Sequence, residues 1–130
     1  MIEIETHKRR EIIDITSNVE ACLRERKAES GTCIVFTMHT TTAISVNEAE
    51  SGLLEDILKA ISSLIPEGAG YAHDRGDGNA HAHIQAAILG NSAVIPVEKG
   101  RLALGAWQRV LFLELDGPRH RKIYTKVISD

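Results

Sequence analysis

Three of the chain's six histidines fall in one polar stretch, "HDRGDGNAHAH", residues 73–83, and a fourth, His39, opens the run "HTTT" after an apolar segment. Three neutral imidazoles suit zinc and leave a fourth position for water or substrate. His39, His73 and His83 make up the candidate ligand set. His81 and His83 could chelate together on a strand, where residues i and i+2 share a face. The surrounding "NAHAHIQAAILG" predicts a helix instead, on which they point about 200° apart. Its apolar stripe is Ala80, Ile84, Ala87 and Ile88, which leaves His83 beside the buried side and turns His81 to solvent. Plainer roles stand beside these: His73 as a solvated loop residue, His39 as a surface residue in a threonine-rich turn.

Carboxylates and cations offer further chemistry. Asn47 and Glu48 follow the "HTTTAIS" segment near a helix start. They read either as a helix cap or as a catalytic pair, with Glu48 a metal ligand or general base. Asp56 is a weaker candidate on the polar flank of the next helix. The C-terminal "DGPRHRK" packs Arg119, His120, Arg121 and Lys122 after a turn. It is either a charged hairpin or a phosphate clamp, because guanidinium forks match phosphate oxygens. Arg101 could join such a clamp, and Thr40 and Thr41 could contact a substrate beside His39. "DRGDGN" does not make a calcium loop: counted from Asp74, the third position is Gly76 and the twelfth is Gln85.

These residues need elements to hold them. "IEIETHKRREIIDIT" alternates with period two and predicts two strands with a turn near Lys8–Arg9. Val19, Cys22 and Leu23 then recur at helical spacing, with Thr16 or Ser17 as cap and Gly31 as terminator. Residues 32–38 read as a buried strand, continued after a bend through Ile44 and Val46. Leu53, Leu54, Ile57, Leu58, Ile61 and Leu64 stripe a long helix that Pro66 stops. A loop over residues 67–78 follows, long enough to be functional. Asn79 and Gly90 bracket the short helix, and the remainder is β, punctuated at Lys99–Gly100 and Asp116–Gly117–Pro118. Trp107, the single tryptophan, begins a strand and reads as a core or interface residue or as a stacking platform, and with Gln108 it is a candidate substrate contact.

The 130 residues, 43% hydrophobic and 25% charged, fit one α+β domain over residues 1–130 with an antiparallel or mixed, sandwich-like sheet. A net charge of −3 argues against nucleic-acid binding through bulk electrostatics. Cys22 and Cys33 read as buried free thiols. No signal peptide and no apolar run of membrane-spanning length are seen, so a cytoplasmic protein without a membrane partner is expected.

"HTTTAISVNE", the "H…GNAHAHIQAAILG" region and "GRLALGAWQRVLFLELDGPRHRK" together resemble the YjbQ-like family, also called the secondary thiamine-phosphate synthase family. The match spans residues 38–122 with its motifs in the family's order. The resemblance implies helices against a folded β-sheet and assembly as a homotrimer. It also implies weak thiamine-phosphate synthase activity, in which hydroxymethylpyrimidine diphosphate joins thiazole phosphate and expels pyrophosphate. The family's histidines land on His39, His73 and His83, its asparagine–glutamate step on Asn47 and Glu48, and its glycine–x–tryptophan–glutamine on Gly105, Trp107 and Gln108. Ala106 stands where the family often has threonine, and His81 where it often has another polar residue. The readings that follow are a metal-assisted enzyme on a small phosphorylated substrate, a zinc-assisted phosphate-ester hydrolase, or a non-catalytic trimer binding a small anion or metal. Three imidazoles favour zinc, whereas magnesium prefers oxygen ligands.

Overall fold

The computed structural model describes residues 1–130. The elements run β1 (Ile2–Glu5), β2 (Glu11–Asp14), α1 (Thr16–Arg26), β3 (Gly31–Thr37), β4 (Thr42–Asn47), α2 (Ser51–Leu64), α3 (Ala80–Leu89), β5 (Ser92–Glu98), β6 (Arg101–Leu102), β7 (Arg109–Glu114) and β8 (His120–Ser129). A 3₁₀ turn over Ala72–Arg75 interrupts the loop ahead of α3. Every strand pair is antiparallel, in a five-stranded sheet ordered β1-β8-β3-β5-β6 and a three-stranded sheet ordered β2-β7-β4.

Period-two alternation decides which side chains enter the sandwich. Cys33, Val35, Ile95, Val97 and Ile123 of the large sheet meet Ile44, Val110 and Phe112 of the small one, and Val19 and Leu23 of α1 pack into the same core. The small sheet is covered on its other face as well. There Ala43, Leu111, Leu113 and Leu115 pack against Ile61 of α2 and Ala82 and Ala86 of α3. This middle-layer position explains why β7 reads "RVLFLE", an almost unbroken apolar run, while β8 alternates. Each large aliphatic side chain buried here contributes roughly 1.5–3 kcal/mol. No helix is long and apolar enough to cross a membrane.

Several element ends differ from those read in the sequence. Neither Thr16 nor Ser17 caps α1. The Asp14 carboxylate does so from outside, accepting from the Thr16 backbone N–H at 3.0 Å and from its hydroxyl at 2.6 Å. The helix stops at Lys27, in the left-handed region at φ 53°, and not at Gly31. Gly31 is needed in β3, where a Cβ would lie 2.1 Å from the Ile128 carbonyl oxygen. The cap of α2 is Glu50, whose carboxylate accepts from the Leu53 N–H at 2.7 Å, so Asn47 does not cap that helix.

Helix α3 is rotated away from the orientation its apolar stripe predicts. Its buried residues are Ala80, His81, Ala82, Gln85 and Ala86, while Ile88 is 70% exposed. The small alanines let the helix approach the sheet closely, and that contact outweighs the larger aliphatics Ile84 and Ile88 in setting its rotation. His81, expected at the surface, is therefore 3% exposed.

Candidate functional site

One end of the sandwich carries a polar network across the two sheets. Glu114 continues the inward face of β7 after Val110 and Phe112, and Arg121 continues that of β8 ahead of Ile123. Both are buried, and they meet as a two-pronged ion pair: Arg121 Nε donates to Glu114 Oε1 at 2.8 Å and Nη2 to Oε2 at 2.5 Å. Arg121 Nη2 also donates to the Thr41 hydroxyl at 2.9 Å, and the Thr6 hydroxyl donates to Glu114 Oε1 at 2.7 Å. Gly117 lies against this pair, and a Cβ there would sit 2.8 Å from Glu114 Cγ and 2.5 Å from the Lys8 carbonyl oxygen.

Above the pair is a cavity of about 420 Å³ lined by His39, Thr40, Thr41, Asn79, His83 and Arg119, among others, with Arg121 at its floor. Arg121 is only 3% exposed, yet it reaches this cavity, and its Nη1 makes no hydrogen bond within the chain. Arg119 is held at the rim: its Nε donates to the Asp116 carbonyl at 2.9 Å and its Nη2 to the Asp116 carboxylate at 3.2 Å. Burial works to raise the Asp116 carboxyl, but hydrogen bonds from Asn79 and Arg119 outweigh it and hold the group below its usual range. His120, at the mouth, bonds to Glu5 and Glu3 across β1, which raises its proton affinity.

His39 is fixed by the backbone. Its Nε2 accepts from the Lys122 N–H at 2.9 Å. Neutral imidazole carries one proton, so Nδ1 is the protonated nitrogen. Burial lowers the pKa of His39, and the nearby Arg121 charge adds to the effect. His39 is thus a neutral hydrogen-bond donor at the cavity wall.

The remaining sequence candidates separate into groups. His39 and His83 share this cavity and a smaller one of about 300 Å³ beside it, which Thr40 also lines. His73 touches the edge of the His83 ring, with centroids 4.8 Å apart, but lines neither cavity. No group of three His, Cys, Asp or Glu side chains converges as a metal-ligand set. Ligation through Nδ1 of His39 would leave Nε2 protonated against a backbone N–H, so the three imidazoles do not fit a zinc site in this arrangement.

Asn47 ends β4, about 17 Å along the strand from Thr42, and Glu48 lies just past it. Asn47 Oδ1 accepts from the Glu48 N–H at 2.8 Å, and Asn47 pairs with Arg109 across the sheet. Arg101 lines a separate cavity and does not join Arg119. Trp107 is 74% exposed in the turn before β7, not in the core. Gln108 closes that turn by accepting from the Gly105 N–H at 2.8 Å. Asp56 is exposed on α2, away from both histidine cavities. Arg121 is not a solvent-facing clamp but the buried half of an ion pair.

Sequence reasoning missed Glu114, Thr6 and the site roles of Asn79 and Asp116. A signal for the first was present: "RVLFLE" places Glu114 on the same strand face as Val110 and Phe112, and a carboxylate there demands a buried cation.

An antiparallel two-sheet sandwich with helices over the smaller sheet, and a histidine–arginine cavity at one end, defines the class of molecule. The chain belongs to the YjbQ-like UPF0047 family, whose model matches residues 1–130. A UPF0047 protein of Archaeoglobus fulgidus is 56% identical, with 98% of each chain covered. The UPF0047 protein YugU of Bacillus subtilis is 39% identical over 98% of this chain and 97% of its own. Among solved structures, a hypothetical protein from Aeropyrum pernix K1 superposes with a TM-score of 0.96 at 43% identity, covering 99% of this chain and 96% of that one. An uncharacterized YjbQ/UPF0047 protein from Clostridium acetobutylicum gives 0.93 at 39% identity, with 98% of each chain covered.

Proposed function

We propose that the protein binds a small phosphorylated substrate in the His39–Arg119–Arg121 cavity and catalyses a thiamine-phosphate synthase-like transfer there. The observation that carries this reading is Arg121, a guanidinium held rigidly by Glu114 and Thr41 with one nitrogen left unpaired at the cavity floor. Preorganised donors in a site of low dielectric stabilise developing charge more strongly than mobile surface cations. In the proposed reaction the thiazole nitrogen bonds to the pyrimidine methylene, the C–O bond to diphosphate breaks, and diphosphate leaves with the electron pair. Arg121 Nη1, Arg119 and the His39 Nδ1–H would neutralise the leaving group.

No step here passes through a metal, since the three imidazoles are not arranged as ligands. Dialysis against chelator, followed by titration with zinc or magnesium, tests the zinc expectation directly. Assay of pyrimidine diphosphate plus thiazole phosphate tests the reaction. Turnover lost in Arg119→Ala and in His39→Ala supports it, and full turnover in both removes it. A second reading, binding without turnover, is favoured by the position of Glu48, the candidate base, at the other end of β4. Tight pyrophosphate binding with no turnover on any phosphate ester would establish that reading and exclude hydrolysis.

We further propose a cytoplasmic homotrimer. The outer face of the large sheet exposes Phe36, Val94, Tyr124 and Ile128, with Phe36 registered against Tyr124, an apolar surface of the kind that subunit contacts cover. Light scattering on the purified protein measures the assembly.

A further inference from the structure

The cavity that holds Arg101 has no part in the reading above. It is an open cleft of about 530 Å³ lined by Thr16, Ser17, Glu20, Arg24, Gly100, Arg101 and Arg109, with no hydrophobic residue among them. Ser17, Glu20 and Arg24 share one face of α1 at spacings of three and seven. The turn at Lys99 and Gly100, with φ of 53° and 74°, delivers Arg101 from β6, and Arg109 opens β7.

The three guanidiniums differ in their commitments. Arg109 Nε is anchored to the Asp14 carboxylate at 2.7 Å, which leaves both of its terminal nitrogens free. Arg24 and Arg101 have no ion-pair partner, and Glu20 stands one turn before Arg24 without closing a bridge to it. With Arg109 paired to Asp14, Arg24 and Arg101 are the two uncommitted cations of the lining, against the single carboxylate of Glu20, in a chain of net charge −3. Close cations that are not neutralised by neighbours repel one another, and an oxyanion between them relieves that repulsion. Guanidinium forks match phosphate geometry, and the Ser17 hydroxyl adds a neutral donor to the lining.

We infer that this cavity is a second phosphate-binding site, formed by Arg24, Arg101 and Arg109 with the Ser17 hydroxyl and separate from the histidine cavity. It takes the phosphate or diphosphate group of a small ligand. The wholly polar lining selects the anionic part and not an apolar body.

Trp107 lies two residues before Arg109, so its fluorescence reports on this end of the sandwich. The experiment titrates the full-length protein with inorganic pyrophosphate, followed by calorimetry and by tryptophan fluorescence. Wild type is expected to bind two equivalents per chain, with a fluorescence change. Arg24→Ala/Arg101→Ala is expected to bind one and to lose the fluorescence change, each arginine weakening this site about tenfold or more. Arg119→Ala is expected to keep the fluorescence change. A double variant that binds pyrophosphate with wild-type stoichiometry and affinity overturns the inference. If Arg119→Ala alone leaves binding unaltered, the histidine-cavity reading fails while this one stands. Arg24 and Arg101 are exposed and make no side-chain hydrogen bond within the chain, so circular dichroism of the double variant is expected to match wild type.

Discussion

Arginine does two different jobs at the two ends of this sandwich. At the histidine end, Arg121 is buried, its charge matched by Glu114 and its geometry fixed by three hydrogen bonds. At the α1 end, Arg24 and Arg101 are exposed and unpaired, and only Arg109 is tied down. The difference lies in the cost of solvation. A buried guanidinium must be paired to exist at all, and the pairing gives it a fixed direction. An exposed one keeps its water and its rotamers, so it supplies attraction without position. The first arrangement suits stabilising a defined charge at a reacting centre, and the second suits capture.

The buried ion pair is where a single substitution costs the fold most. Glu114→Gln leaves Arg121 buried without its counter-charge and is expected to cost about 3–5 kcal/mol in urea unfolding. Replacing both members with apolar residues of similar volume is expected to recover much of that loss while still abolishing pyrophosphate binding at this end. Arg119→Ala comes next, with pyrophosphate affinity at the histidine cavity reduced about tenfold or more and the urea midpoint little changed. By contrast, Arg24→Ala or Arg101→Ala is expected to alter stability by no more than about 0.5 kcal/mol, because neither side chain supports the fold.

Acid separates the two ends more finely. The folded state lowers the pKa of His39, mainly by burial. Above the unfolded value of about 6.5 the group is neutral in both states and contributes no pH dependence. As pH falls through that value, the unfolded chain takes up a proton that the folded chain resists, so stability declines. His39→Gln is expected to flatten this decline in urea midpoints measured between neutrality and pH 5. Asp14, at the α1 end, responds lower. Burial tends to raise its carboxyl, but hydrogen bonds from Thr16 and Arg109 hold it below its usual value. That stabilisation is fully present above the unfolded carboxylate range and is lost as pH falls from there through the lowered folded value. Asp14→Asn is expected to reduce acid sensitivity below about pH 4.

Much of the scaffold was legible because strand alternation is a local property. β3, β4, β7 and β8 lie where the apolar patterns put them, and the turn read at Lys99–Gly100 is present, with Gly100 in the left-handed region that glycine favours. What the chain alone did not disclose depends on approach distance between elements. The stripe Ile84–Ile88 is the larger apolar surface of α3, yet close packing selects Ala82 and Ala86 and carries His81 inward. The same limit applies to the candidate site. Nothing in the spacing of His39 shows that the Lys122 N–H, 83 positions away, takes its Nε2. Arg101 and Arg119 look alike in sequence, and only the fold assigns them to different cavities.

The order of the large sheet has a consequence for how the molecule is made. Strand β8, residues 120–129, sits between β1 and β3 and pairs with both. During synthesis β1 emerges well ahead of β8 and has no partner until residues 120–129 follow, and β3 keeps one edge open until the same point. Helices form within microseconds, but this sheet waits for its second strand in space, which is its last in translation. A nascent chain stalled short of residue 120 therefore presents two open strand edges, which are the features chaperones and aggregation compete for.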